Sequence, residues 1–209
     1  MPSNATSESR HQRGTRCLPP LPCGRACELE PECLRAAYQP AGSPTGDLAP
    51  ATCPGSLRLD KLHVVFQEAM GWTNSHLHQF RIGDVLYGMH FEDWPDEELH
   101  EAEFKLADVT HAGERFRYDY DFGDSWEHEV LVERADTIRP ALKFAVCLDG
   151  ANACPPEDCG GTGGYADFLE ALANPAHEEH EQYRQWAGED FNPEAFDLAA
   201  TNAALQRLR

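Results

Sequence analysis

Tyr118-Asp119-Tyr120-Asp121-Phe122-Gly123-Asp124-Ser125-Trp126-Glu127-His128-Glu129-Val130 alternates apolar and charged residues on both sides of Gly-Asp-Ser. Period-two alternation around a turn signal is the pattern of a β-hairpin. With Gly123-Asp124-Ser125 as a three-residue loop, Phe122 faces Trp126, Tyr120 faces His128, Tyr118 faces Val130 and Phe116 faces Val132. One face is then aromatic and β-branched throughout, as a buried sheet face requires. A two-residue loop at Gly123-Asp124 pairs Tyr120 with Glu127 and mixes the faces, so the pattern favours the longer loop.

That register sets Asp121 against Glu127 and Asp119 against Glu129 on the opposite face. Like charges directly opposite cost roughly 0.2–1 kcal/mol per pair. Arg117 is the one base in the row, so solvent, twist, a base from elsewhere or a bound cation must offset the repulsion. Asp119, Glu127 and His128 are therefore candidate metal ligands, and Asp121, Asp124 and His128 candidate catalytic groups. The competing reading is a solvated charged face over a core histidine satisfied by one hydrogen bond. No nucleophile stands beside His128, so no reaction is specified.

A second stretch, Cys147 to Tyr165, carries Cys147, Cys154 and Cys159 with Pro155-Pro156 between the last two and Gly160-Gly161 after them. Four residues separate Cys154 from Cys159, a spacing that suits a zinc knuckle, with Cys147 as a third ligand and a distant histidine as the fourth. The alternative is a stiff loop with buried thiols. The candidate cofactor is thus a divalent metal such as zinc, and its identity stays open. Gly160, Gly161, Gly163 and Gly164 precede a helix, yet no Gly-Lys-Ser/Thr follows, which argues against a phosphate cradle. His76 and His78 fall on one strand face, and His177 and His180 on one helix face.

The chain divides into unlike parts. Residues 1–56 hold five arginines (Arg10, Arg13, Arg16, Arg25, Arg35), no lysine and five acids, so the whole net charge of −19 lies beyond them. Cys17, Cys23, Cys27, Cys33 and Cys53 fall in this part, with spacings that form no paired zinc knuckle. Of the aromatic residues only Tyr38 precedes residue 57. Such a segment buries too little apolar surface to offset its ordering entropy and is expected to be disordered over residues 1–53.

From Pro54 the pattern is that of a domain running to residue 209. Asp60 reads as an N-cap, Leu62, Val65, Phe66, Ala69 and Met70 keep helical spacing, and Gly71 is a stop. Ser75–Ile82 and Val85–Tyr87 read as strands around Gly83-Asp84. Glu92 to Glu103 reads as an acidic loop or short helix. Tyr165, Phe168, Leu169 and Leu172 mark a helix broken at Asn174-Pro175, with further helices over 177–186 and 197–208. Strands early and helices late predict an α+β class: one compact domain, a small antiparallel or mixed sheet packed by helices, behind a disordered N-terminal segment.

No apolar run approaches the roughly 20 residues of a membrane helix, and no signal-peptide pattern opens the chain. A cytoplasmic protein is expected, with no membrane contact. So acidic a domain repels phosphate backbones, so direct nucleic-acid binding is disfavoured and an unidentified protein partner fits better.

Gly71-Trp72-Thr73-Asn74-Ser75-His76-Leu77-His78-Gln79-Phe80, Tyr120-Asp121-Phe122-Gly123-Asp124-Ser125-Trp126-Glu127-His128 and Ala153-Cys154-Pro155-Pro156-Glu157-Asp158-Cys159-Gly160-Gly161 resemble the plasmid pRiA4b ORF-3-like family, also labelled transposon passenger proteins of the TnpR type. The resemblance covers about Pro54 to Leu208. It implies a compact α+β domain found on plasmids, in mobile elements and on chromosomes, with no established reaction or ligand. Family members open with an Arg-Pro-Pro-Ile-Trp-Arg-like strand before Pro-Gly-Ser-Leu; here Pro54-Gly55-Ser56-Leu57 is present without that strand. The composition break leads to the expectation that residues 1–53 stem from a shifted frame or wrong start, leaving the sheet short of an edge strand.

Three functions follow as expectations. The first is a non-enzymatic accessory or binding protein of plasmids and mobile elements. The second is a metal-dependent enzyme using the acidic hairpin and the cysteine loop. The third is an acidic competitor of a nucleic-acid-binding protein.

Overall fold

Alternation in Gln79-Phe80-Arg81-Ile82 and Phe116–Tyr120 puts large apolar residues on one side of each strand, and that side has to be covered. A computed structural model describes residues 32–40, 50–89, 98–137 and 142–208. Among the described residues the strands are β1 (Glu32–Pro40), β2 (Ala51–Pro54), β3 (His78–Ile82), β4 (Val85–Gly88), β5 (Leu99–His100), β6 (Arg115–Tyr120), β7 (Trp126–Thr137) and β8 (Val146–Cys147). They form one sheet in the order β5-β4-β3-β6-β7-β1-β2-β8. All neighbours are antiparallel except β4 and β5, which run parallel. The helices are α1 (Leu59–Met70), α2 (Leu106–Val109), α3 (Gly161–Ala173), α4 (His180–Ala187) and α5 (Leu198–Leu205). The class is α+β with a mixed sheet, as the sequence predicts.

Helix α1 supplies the cover. Its buried residues Leu59, Leu62, Val65, Phe66 and Ala69 recur every three or four positions, and Phe66 packs its ring against Phe80 and edge-on to Tyr118. Gly71 ends the helix in the left-handed region at φ 82°, its N–H bonding Gln67 O at 2.8 Å. The start differs from expectation. Arg58 occupies the N-cap, and Asp60 sits in the first turn with both carboxylate oxygens on the Arg58 guanidinium at 2.9 Å. Gly83-Asp84 is the two-residue loop of the β3–β4 hairpin, with Ile82 paired to Val85. Asn174-Pro175 closes α3, and the Asp197 carboxylate caps α5 by accepting from Ala200 N at 2.8 Å. Phe168 of α3 makes edge contacts with Tyr183, Trp186 and Phe191, which docks α4.

Two expectations are corrected. The backbone of Glu32–Pro40 is a strand between β7 and β2, paired with Thr137–His128 on one side and Pro54–Ala51 on the other. Residues 51–53 are likewise strand, with Ala51 and Cys53 in the core. Backbone pairing on both edges places β1 in the sheet, which composition did not reveal. The sheet therefore is not short of a strand beside β7. The rest of the expected disordered segment, with Cys17, Cys23 and Cys27, lies outside the described residues, as does the first half, 92–97, of the stretch Glu92 to Glu103.

The second correction is the hairpin register. Tyr120 pairs with Trp126, Tyr118 with His128, Phe116 with Val130 and Asp119 with Glu127. The loop is Asp121–Ser125, five residues rather than three, and Phe122 is expelled to 51% exposure. A shift of two residues keeps every side chain on its face, so Tyr118, Tyr120, Trp126 and His128 are buried as expected. It replaces the second like-charge pair by Arg117 opposite Glu129.

Candidate metal centre

The hairpin tip is built by Asp121. It lies in the left-handed region at φ 53°, and Ser125 does too at φ 56°. Aspartate tolerates that conformation by bonding its own loop: Oδ1 accepts from Gly123 N at 2.9 Å and Asp124 N at 3.3 Å. The Asp121 N–H donates to Leu77 O at 2.9 Å, which ties the tip to the segment before β3. Oδ2 then faces His76.

The segment Trp72–Leu77 is held from below. The Trp72 indole N–H donates to Pro155 O at 2.9 Å. Asn74, at φ 57°, takes Gln67 Oε1 on its N–H at 3.0 Å and meets His63 Nε2 through Oδ1 at 2.6 Å. His63 and Gln67 are buried on α1 and also share the Tyr118 hydroxyl. The His63 ring stacks on His78 at 3.4 Å between centroids, and His78 Nε2 meets Glu101 Oε2 at 2.8 Å. Burial, then the neighbouring His78, lowers the His63 pKa to about 4, so the ring is neutral near neutrality.

The third element is the cysteine loop. Gly160 N donates to Asp124 Oδ2 at 2.9 Å. Glu157 accepts from Thr73 N at 2.9 Å, from Thr73 Oγ1 at 2.6 Å and from the Tyr120 hydroxyl at 2.8 Å. Burial pushes the Glu157 carboxyl up, but these hydrogen bonds outweigh it and leave its pKa lowered. Asp158, at φ 59°, brings Oδ1 to 3.3 Å from His76 Nε2, and Asp121 Oδ2 lies 3.6 Å from the same nitrogen. Among the described residues, His76, Asp121 and Asp158 are the one group of three or more metal-ligating side chains whose donor atoms all lie within 4.8 Å of one another. His76 Nε2 is buried and has no hydrogen-bond partner among them.

The residues singled out from sequence divide accordingly. Asp121 is in the cluster and Asp124 fastens the cysteine loop beside it. Cys147, Cys154 and Cys159 are not brought together as a ligand set. The Cys147 thiol bonds Asp149 O at 3.1 Å, and burial raises its pKa. Burial and then the Asp124 carboxylate push the Cys159 thiol up to about 12, so it stays protonated near neutrality and is a poor nucleophile. His128 is fully buried, with Nδ1 at 3.2 Å from Tyr118 O and its ring edge-on to Trp72; burial lowers its pKa to about 4. It is a core histidine.

Asp119 and Glu127 are bridged by Arg117, through Nε at 2.8 Å from Asp119 Oδ1 and Nη1 at 3.3 Å from Glu127 Oε1. Burial raises the Asp119 pKa against the pull of that guanidinium. Arg117, the base in the row, offsets part of the acidic face. The cysteine loop meets the hairpin at its tip and not at this face. His76 and His78 point to different partners, because His76 precedes β3. His180 Nδ1 lies 2.9 Å from Ala171 O, while His177 Nδ1 accepts from Glu179 N, so that pair is structural.

Sequence reasoning missed Asp158 and Glu157 as individual residues, although both lie in a quoted motif. It also missed His63 and Gln67. Their signal was available: two polar residues four apart on the apolar face of α1 must find buried partners.

The three motifs that resemble one family therefore assemble into a single locus. A family model described as plasmid pRiA4b ORF-3-like protein matches residues 51–200. The uncharacterized protein y4hQ of Sinorhizobium fredii (strain NBRC 101917 / NGR234) is 41% identical over 160 residues, which covers 74% of this chain and 81% of that protein. The crystal structure of a protein of unknown function, MM3350 from Methanosarcina mazei Go1, superposes with a TM-score of 0.74 at 29% identity, covering 81% of this chain and 97% of that one. Among the described residues no helix is long and apolar enough to cross a membrane. With its three motifs converging on one site and the match running through all of them, the chain belongs to the plasmid pRiA4b ORF-3-like family.

Proposed function

We propose that this protein is a divalent-cation-binding domain whose ion is held by His76, Asp121 and Asp158. The spacing of the donors carries the reading. Two ligands about 2.1 Å from one metal and roughly 90–120° apart lie about 3.0–3.6 Å from each other. His76 Nε2 stands 3.3 and 3.6 Å from the two carboxylate oxygens and has no hydrogen bond of its own among the described residues. One imidazole with two carboxylates suits Mn²⁺, Fe²⁺ or Zn²⁺.

Three protein ligands leave positions open for an oxygen-bearing ligand, and the Asp158 side chain is 73% exposed. Open positions favour, as a second reading, metal-assisted hydrolysis by a bound water over a closed structural ion. The accessory role in plasmids and mobile elements remains the genetic setting; the family's description, which names a plasmid, supports it. A protein partner in the cytoplasm fits the net charge of −19 better than a nucleic acid does. Charge mimicry draws no support from the outer face of the sheet, where Arg115 and Arg117 are paired with Glu129, Asp119 and Glu127.

Equilibrium dialysis against Mn²⁺ and Zn²⁺, with metal counted by mass spectrometry, tests the site. About one ion per folded chain is expected, with at least tenfold weaker binding in His76→Ala and Asp121→Asn. Equal binding by wild type and both variants, or none by folded wild type, overturns it.

A further inference from the structure

We infer that Tyr120 and Glu157 are the positioning pair of this cation site, an inference that rests on the metal reading above. The three ligands come from three separate segments, and one hydroxyl joins all of them. Tyr120 directly precedes Asp121. Its hydroxyl accepts from the backbone N–H of Ser75 at 3.0 Å and of His76 at 3.3 Å, which fixes the second ligand's main chain. It donates to Glu157 Oε1 at 2.8 Å, and Glu157 is the neighbour of Asp158.

A phenol hydroxyl has one proton and two lone pairs, so its capacity is fully used. The ring is fixed as well: it is buried, stacks on Trp72 at 4.7 Å and meets the His76 ring edge-on at 5.8 Å. Glu157 spends its other oxygen on Thr73 Oγ1, in the same segment as His76. Neither residue ligates the ion. Together they hold His76, Asp121 and Asp158 at metal spacing before any ion arrives. Groups of this kind, bonded to the chains that carry the ligands, typically set about 10–100-fold in metal affinity.

Mn²⁺ titration read by the electron-paramagnetic-resonance signal of the free ion separates the possibilities. Tyr120→Phe keeps the ring and removes the oxygen; Glu157→Gln keeps the shape and removes the charge. Wild type is expected to bind one ion. Each variant is expected to bind one ion 10–100-fold more weakly, and the double variant little worse than either single one, because the two act as a unit. With Co²⁺ at saturation, the visible absorption of both variants should shift from that of wild type, which a loss of stability alone does not produce. Wild-type binding with both variants within twofold of it overturns the positioning pair and leaves the metal site standing. Wild type that binds no metal removes the site and the pair together. An equal loss of Mn²⁺ affinity in Val130→Ala, a core variant remote from the ligands, also overturns the positioning role.

Discussion

Asn202 bonds both backbone groups of Cys147: its Oδ1 accepts from Cys147 N at 3.0 Å and its Nδ2 donates to Cys147 O at 2.9 Å. Cys147 lies on β8, the last strand of the sheet, whose outward groups have no neighbouring strand among the described residues. The Asn202 amide on α5 takes the place of one. An open edge is a template for pairing with another chain. Asn202→Leu removes both bonds and leaves part-buried groups unsatisfied, so a loss of about 1–3 kcal/mol is expected. Urea denaturation measures it, and light scattering of the variant should show increased self-association. A change under about 0.5 kcal/mol with no association refutes the capping role.

The five-residue hairpin loop makes a contrast between two aromatic residues. Phe122 is 51% exposed at the tip, whereas Trp126 is 2% exposed in the core. Phe122→Ser should change stability by no more than about 0.5 kcal/mol, as at an ordinary surface position. Trp126→Ala should cost about 3–5 kcal/mol. A three-residue loop would instead put Phe122 opposite Trp126 and make both substitutions costly. Denaturant midpoints of the two variants decide between the registers.

That register shows where sequence reading ends. Gly71, Gly83-Asp84, Asn174-Pro175 and Asp197 act through their own backbone conformation or their nearest neighbours, so their turns and caps were legible. The faces of β6 and β7 were legible too, because parity survives a slip of two residues. The loop length was not. It depends on Asp121 holding a left-handed conformation, which its own carboxylate and the distant Leu77 carbonyl stabilise. Asp60 misled because Arg58, two residues away, claims its carboxylate. The candidate site was half legible: the three motifs named the right segments, but ligand choice depended on contacts between residues 76, 121 and 158. Acid-against-acid pairing in the hairpin drew attention to Asp119 and Glu127, which Arg117 bridges.

Two buried histidines predict an acid limb in the stability curve. His63 and His128 both have folded pKa values lowered to about 4 from an ordinary 6.5, mainly by burial. Between those values the unfolded chain binds more protons than the folded one, so stability rises with pH across that window. It is complete above about pH 6.5 and falls as the pH drops toward 4. Each histidine contributes a slope of up to about 1.4 kcal/mol per pH unit. Urea denaturation at steps between pH 5 and 6.5, above most carboxylate titration, isolates this effect. His128→Leu should remove one histidine's share of the slope; an unchanged slope shows that His128 is not held neutral.

The start of α3 permits a sharper test, because its glycines differ in what a methyl group meets. At Gly161 the backbone is left-handed at φ 68°, and an added Cβ would collide with the Asp124 carbonyl. Gly161→Ala therefore strains the seam between the cysteine loop and the hairpin tip, at a cost of about 1–3 kcal/mol or more. Gly164→Ala also fails, since its Cβ would run into the Cys159 carbonyl, which is backbone and cannot swing away. At Gly163 a Cβ meets nothing within 4 Å, and the residue lies inside the helix. Gly163→Ala should stabilise the protein by about 0.5–1 kcal/mol through helix propensity alone. Thermal melts of the three variants give opposite signs for neighbours one to three residues apart. If Gly161→Ala and Gly163→Ala move the melting temperature alike, the cysteine loop does not press on the Asp124 carbonyl at the hairpin tip.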